Sequence, residues 1–296
     1  MKIAILGSNG YLGRNLLHAA VSQGHEVMAY DRSETQADNF QNYQQIDMSE
    51  ASSMSSLDLD ADAVYMLVGR TGTSDGFNKY EEFIASNEIS LLNLLSEYRR
   101  QNSKAKIVFP STRLVYRGRP EALKEDDPKE FKTIYAVGKY SGEQYLSQYH
   151  NLFGINYCIL RLCIPFGTEI PEASSYGTLE FMLSKAKAGQ PITLYGDGSL
   201  RRTFTHIADV TDIFLTAGSH AVCQNDVFNI GGNTYSLLEV ANLIADQYGV
   251  EVQHVEWPPV ALALESGDTV FDDARLAAEI GPINYQTVEI WLKAST

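Results

Sequence analysis

Seven residues near the start of the chain, Gly7-Ser8-Asn9-Gly10-Tyr11-Leu12-Gly13, set three glycines between an apolar run over 2–6 and a helical pattern over 14–23. Without Cβ atoms, glycines permit a sharp strand-to-helix turn and leave backbone amides open to a phosphate at the helix N-terminus. The spacing suits the pyrophosphate of a dinucleotide. A purely structural glycine turn would use the same residues, so context has to decide. Eighteen residues past Gly13, Asp31 closes the second apolar run, where a carboxylate can accept hydrogen bonds from a ribose diol. A carboxylate there repels a 2′-phosphate and favours NAD. Arg32 follows at once and can instead stack on adenine or take that phosphate, so NADP stays open.

The first half of the chain continues in the same rhythm. Strand patterns over 2–6, 26–30, 44–46, 63–68, 106–109 and 157–162 alternate with helical ones, clearest over 87–100, where Ile89, Leu92, Leu94 and Leu95 recur at helical spacing. Such alternation predicts an α/β fold, a Rossmann-type doubly wound parallel sheet. Beyond 162 the pattern loosens into Pro- and Gly-punctuated segments at 164–177 and 189–199, followed by a helix over 236–248. The expected division is a dinucleotide-binding domain over 1–162, with 206–228 returning to it, and a smaller α/β substrate-binding lobe from 163–205 and 229–296. The ligand is expected between them.

Composition narrows the partners. A formal net charge of −14 argues against nucleic acid and anionic lipid, both of which need clustered Lys and Arg. No stretch reaches the ~18 consecutive apolar residues of a membrane helix, and the opening residues show no signal pattern, so the cytoplasm is the expected address. Cys158, Cys163 and Cys223 are odd in number and unpatterned, and the histidines show no metal-ligand spacing; no metal is expected.

Tyr135 and Lys139 stand one helical turn apart, on one face. An ammonium beside a phenol favours phenolate and brings its pKa down from about 10, so that Tyr135 can serve as general acid or base. Ahead of them, the apolar run from Lys106 ends in Ser111 and Thr112, hydroxyls suited to hold a reacting oxygen or to cap a turn.

These residues, with Asp47-Met48, the segment Ser111-Thr112-Arg113-Leu114-Val115-Tyr116 and the run from Gly196 through Arg202 to Asp209, resemble the NAD-dependent epimerase/dehydratase family of extended short-chain dehydrogenase/reductases. The resemblance implies hydride transfer at a sugar secondary alcohol or ketone, with Thr112, Tyr135 and Lys139 catalytic and Lys139 also clamping the nicotinamide ribose. It implies that Gly7, Gly10, Tyr11, Leu12, Gly13, Asp31, Arg32, Asp47, Met48, Leu67, Val68, Gly69 and Asn87 surround the cofactor. Substrate contacts would come from Thr112, Tyr135 and Arg202, the last as a diphosphate clamp whose fork of donors suits the task. A homodimer, formed by the helix carrying Tyr135 and its neighbour, is implied by resemblance alone.

Three departures stand out. Ile164 replaces the asparagine of an Arg-x-x-Asn-x-x-Gly segment, and Glu265 replaces a second phosphate-binding arginine, where its charge is expected to repel a diphosphate. Arg113 and Leu114 replace the Asp-Glu of the dehydratase branch, which argues against dehydration. The expected activity is nucleotide-sugar epimerisation; the alternatives are a nucleotide-sugar 4-ketoreductase or a reductase of a smaller ketone. A non-catalytic dinucleotide sensor would have no need of Thr112, Tyr135 and Lys139 together.

Overall fold

The computed structural model describes residues 1–170 and 177–294; residues 171–176, within the punctuated segment, lie outside it. In chain order the strands are β1 (Lys2–Leu6), β2 (Glu26–Asp31), β3 (Tyr43–Gln45), β4 (Ala63–Met66), β5 (Lys106–Thr112), β6 (Tyr157–Leu162), β7 (Ile164–Phe166), β8 (Ile192–Tyr195), β9 (Arg201–His206), β10 (Asp226–Asn229), β11 (Asn233–Ser236) and β12 (Val252–Val255). The helices are α1 (Tyr11–Ser22), α2 (Tyr80–Ile84), α3 (Ser90–Gln101), α4 (Ile134–Phe153), α5 (Thr178–Lys187), α6 (Ile207–Ala217), α7 (Leu237–Tyr248), α8 (Pro259–Leu264), α9 (Ala274–Ile280) and α10 (Val288–Ala294).

Seven strands form one parallel sheet in the order β10-β6-β5-β4-β1-β2-β3. Strand β1 from Ile3 on and strand β4 are apolar and buried because helices cover both faces. On β1, Ile3 and Ile5 pack with Leu16 and Leu17 of α1 and Val210 and Phe214 of α6, whereas Ala4 and Leu6 pack with Leu91, Leu94 and Leu95 of α3. The strand order reverses between β1 and β4, the position where open α/β sheets leave a crevice at their carboxyl ends.

The smaller lobe holds a three-stranded sheet, β11-β9-β7, and the pair β12-β8. Phe204, Ile192, Val240, Ile244 and Trp291 form its core. The helix α7 starts at a reciprocal cap in which Ser236 and Glu239 exchange side-chain-to-backbone hydrogen bonds. Helix α6 and strand β10 pack with the large sheet. The assignment of 229–296 wholly to the smaller lobe needs correction: Leu276 of α9 is buried in the large-sheet core, and Ile280, Ile283 and Tyr285 pack against it.

Three elements differ from their sequence patterns. The strand over 63–68 stops at Met66, and Leu67 and Val68 turn into the crevice. The helix over 87–100 starts earlier, at Tyr80, and passes through a π turn at Ala85–Ile89, whose extra residue per turn breaks the 3.6 period. Strand β5 runs on past Pro110 to Thr112 because its pairing with β4 ends at Val108, so the missing amide of Pro110 faces no partner on that side.

Candidate active site

The turn from β1 into α1 is main chain closing on main chain. Gly7 has φ +88°, and a Cβ there would stand 2.9 Å from the carbonyl carbon of Leu67 and from Val68 N. A Cβ on Gly13 would stand 2.1 Å from Gly7 O. Gly10 caps α1 without a side-chain hydrogen bond, and the first turn of the helix carries no acid. Its positive end therefore has no acid of its own helix to compensate it.

Two compartments meet over these glycines. The first, of about 320 Å³, is lined by Gly7, Gly10, Asp31, Arg32, Asp47, Met48, Leu67, Val68 and Gly69, among others. Asp31 accepts hydrogen bonds from Asn9 N at 3.1 Å and from Ser33 N and Oγ at 3.2 Å. A carboxylate has about four acceptor sites, so capacity remains for one hydroxyl of a diol. The second compartment, of about 540 Å³, shares Gly7, Gly10, Leu67 and Gly69 with the first. Tyr11, Leu12, Gly13, Ser111, Thr112, Arg113, Tyr135 and Lys139 also line it. The Tyr11 hydroxyl crosses to donate to Gly167 O at 2.7 Å.

Thr112, Tyr135 and Lys139 arrive in this cavity from the carboxyl end of β5 and the first turns of α4. Thr112 Oγ1 accepts from Leu114 N at 3.2 Å, capping the short turn Arg113–Val115. It therefore acts as a cap, yet its own hydroxyl proton is not consumed by that contact. Tyr135 is half-buried. Lys139 is buried, its Nζ 4.6 Å from the centre of the Phe109 ring. Burial pushes Lys139 down to about 8, against the opposing pull of Glu143.

Ser111, offered by the sequence as a hydroxyl for a reacting oxygen, instead ties the cavity wall to a buried network whose linkage the sequence patterns did not single out. Ser111 Oγ donates to Glu143 Oε1 at 2.5 Å, and Arg161 reaches the same carboxylate through Nε at 2.9 Å and Nη2 at 2.6 Å. Arg161 Nη1 also donates to Tyr116 Oη at 2.6 Å, and Tyr116 donates to Asn229 Oδ1 at 2.7 Å. These groups are buried, and the Glu143 carboxylate meets the Arg161 guanidinium through two hydrogen bonds, so the two buried charges are paired. The available signals were Glu143, one turn past Lys139, and an arginine inside the apolar run of β6.

Two of the expected site residues are engaged by protein groups. Asn87, expected beside the cofactor, lines neither compartment. Buried in the π turn, it accepts from Arg70 N at 3.1 Å and donates to Arg70 O at 3.0 Å, so it braces the loop after Gly69. Arg202, expected as the diphosphate clamp, is buried on β9 and outside the cavity lining. Its Nη2 donates to Glu265 Oε1 at 2.6 Å and its Nη1 to Gly267 O at 2.6 Å. The carboxylate of Glu265, expected to repel a diphosphate, is instead neutralised by Arg202 and by Ser266 N and Gly267 N at 2.8 and 3.0 Å.

A switch-point crevice over a glycine turn, opening onto a tyrosine, a lysine and a threonine, defines an enzyme of the extended short-chain dehydrogenase/reductase type. The comparisons agree, and the chain belongs to the NAD dependent epimerase/dehydratase family, whose model matches residues 3–231. CDP-paratose 2-epimerase of Salmonella typhi is 25% identical over 87% of this chain and 88% of its own. A putative UDP-glucose 4-epimerase of Methanocaldococcus jannaschii is 25% identical over 83% of this chain and 82% of its own. Among solved structures, Pal from Bacillus thuringiensis superimposes with a TM-score of 0.87 at 21% identity over the whole of both chains. The UDP-glucose 4-epimerase of Thermus thermophilus, in complex with NAD, gives 0.85 at 21% identity, covering 99% of this chain and 98% of that one.

NAD is the cofactor of this family, and the residues present fit it. Gly7 and Gly13, where a Cβ would strike main chain, let the β1–α1 turn close tightly, and with Gly10 they line the compartments over the start of α1, where a diphosphate would meet backbone amides. Asp31 lies on one side of those glycines, and Tyr135 and Lys139 on the other. No helix among the described residues is long and apolar enough to cross a membrane.

Proposed function

We propose that this chain is a nucleotide-sugar epimerase, inverting a secondary alcohol of the sugar through a transient ketone. The observation that carries this reading is the gathering of Thr112, Tyr135 and Lys139 in one cavity continuous with the dinucleotide compartment. When bound, NAD supplies the hydride acceptor and donor. The phenolic oxygen of Tyr135 takes the proton of the sugar hydroxyl and returns it. Thr112 holds the reacting oxygen beside the tyrosine. The Lys139 ammonium favours the phenolate and grips the nicotinamide ribose. Gly7, Gly10 and Gly13 admit the diphosphate of the cofactor, and Asp31 takes the adenosine ribose and disfavours a 2′-phosphate. A cavity of about 540 Å³ has room for a sugar to present either face.

The test is turnover of UDP-glucose and CDP-linked sugars with no reductant added, read by NMR as inversion at one carbon. Inversion without net cofactor consumption supports the epimerase; a ketosugar reduced only with stoichiometric NADH makes the chain a 4-ketoreductase. Tyr135→Phe should lower turnover by about 10²–10⁴-fold and leave NAD affinity within about twofold, because only the transferable proton is lost.

The same reading includes a cytoplasmic address, which the three free thiols suit, and a homodimer. Exposed Ile84, Ile89, Val137, Leu152 and Phe153 on α2, the π turn and α4 support pairing through these helices about a two-fold axis. Light scattering should return twice the 32.9 kDa chain mass, and a monomer at micromolar concentration would remove the dimer.

A further inference from the structure

The charges around the catalytic cavity do not follow those of the chain. The formal net charge is −14, yet the charged side chains lining this cavity among the described residues are Arg113 and Lys139, with no Asp or Glu. Lys139 lies toward the cofactor: a Cβ on Gly69, which both compartments share, would stand 3.4 Å from its Nζ. Among the described residues Arg113, the residue after Thr112, meets two neutral hydroxyls. Its Nη1 donates to Ser266 Oγ at 3.2 Å and to Thr269 Oγ1 at 3.5 Å, and these contacts leave Nε and Nη2 unused. Glu265, the nearest acid in this corner, is committed to Arg202 and to two backbone amides. Burial and the neighbouring Arg202 both push Arg113 below the ordinary arginine value, although a guanidinium keeps its proton. A half-buried cation open to a cavity, with no carboxylate partner among the described residues, is suited to receive an anion.

We propose that Arg113 binds an oxyanion of the substrate, its diphosphate or a sugar carboxylate, while Glu265 holds Arg202 away from that task. The inference rests on the nucleotide-sugar reading above. Its physical basis is a fork of donors in a fixed plane, which matches the paired oxygens of either group. The guanidinium is also within electrostatic reach of Tyr135, so the anion it holds lies close to the reacting hydroxyl.

The test is calorimetric titration of the NAD-loaded enzyme with UDP, UDP-glucose and UDP-glucuronate, for the natural chain, R113M and R113K. R113M should weaken binding roughly tenfold to a hundredfold and flatten its salt dependence. R113K, which keeps the charge and loses the fork, should lie between. An equal loss for UDP and UDP-glucose assigns the diphosphate to Arg113; a loss confined to UDP-glucuronate assigns a carboxylate. If R113M holds NAD and binds all three like the natural chain, the assignment is overturned and the nucleotide-sugar reading stands. A natural chain that binds none of the three, nor CDP and CDP-glucose, overturns both. If R113M fails to hold NAD, R113K decides: a loss of about threefold or more supports the assignment, and unchanged affinity and salt slope overturn it.

Discussion

Around Gly7, Gly10 and Gly13 the surface offered to a ligand is main chain, whereas around Arg113 it is a long charged side chain in the cavity wall, with Arg202 and Glu265 behind it satisfying each other. The first surface is fixed by steric exclusion. A glycine is needed wherever a Cβ would strike backbone, and that need survives whatever the rest of the chain does. The second is fixed by pairing, so one substitution at 265 changes what Arg202 is free to do. A recognition surface made of backbone is hard to re-purpose; one made of ion pairs is easy.

The largest effect that would break this contrast is at Gly13. Its missing Cβ would stand 2.1 Å from Gly7 O, a contact that no rotamer change relieves because both atoms belong to the main chain. Gly13→Val should therefore force the turn open and weaken NAD binding by at least about a hundredfold, with a loss of stability of about 1–3 kcal/mol from overpacking. Calorimetry and denaturant unfolding measure the two separately. NAD affinity within tenfold of the natural chain would show that the α1 turn does not carry the diphosphate, and the difference between the two regions would collapse.

The same contrast governs what could be read from the amino-acid order. The glycine turn, the place of Asp31 and the Tyr135–Lys139 pair are local features, within one turn or one β-α unit, and the structure brings them to adjoining compartments. Thr112 is local too, at the end of β5, although Pro110 made the strand look shorter than it is. The partners of the charged side chains come from afar: Glu265 meets Arg202 across 63 positions and Arg161 meets Glu143 across 18. No periodicity encodes such meetings, so Arg202 read as a free clamp and Glu265 as a repulsive charge. Arg113 stood out only as a departure from the dehydratase pattern, and its place in the cavity wall depends on how Ser266 and Thr269 return beside β9. Asn87 was legible as a residue near the crevice, but its grip on the backbone of Arg70 follows from a π turn that a 3.6-residue period cannot reveal.

A smaller effect sharpens the comparison at Lys139, the side chain in the cavity that belongs to both regions. Burial holds its amine at about 8, compared with 10.5 for an unperturbed lysine. Between these values the unfolded chain binds the proton and the folded chain does not, so this residue makes the cofactor-free fold more stable as pH rises from about 8 toward 10.5. The proposed grip on the nicotinamide ribose runs the other way, because an ammonium donates more strongly than a neutral amine. NAD affinity should therefore fall a few-fold between pH 7 and 9.5, by about the difference between a charged and a neutral hydrogen bond, while the stability of the empty protein gains its Lys139 contribution over the same range. Lys139→Met should bind NAD more weakly at pH 7 and remove both pH dependences. Titrations at pH 7, 8, 9 and 9.5 on the natural chain and the variant measure this. NAD affinity that climbs with pH in the natural chain and stays flat in the variant would mean that burying the ammonium under the cofactor costs more than its hydrogen bond returns, and Lys139 would then be a group that tunes Tyr135 without holding the ribose.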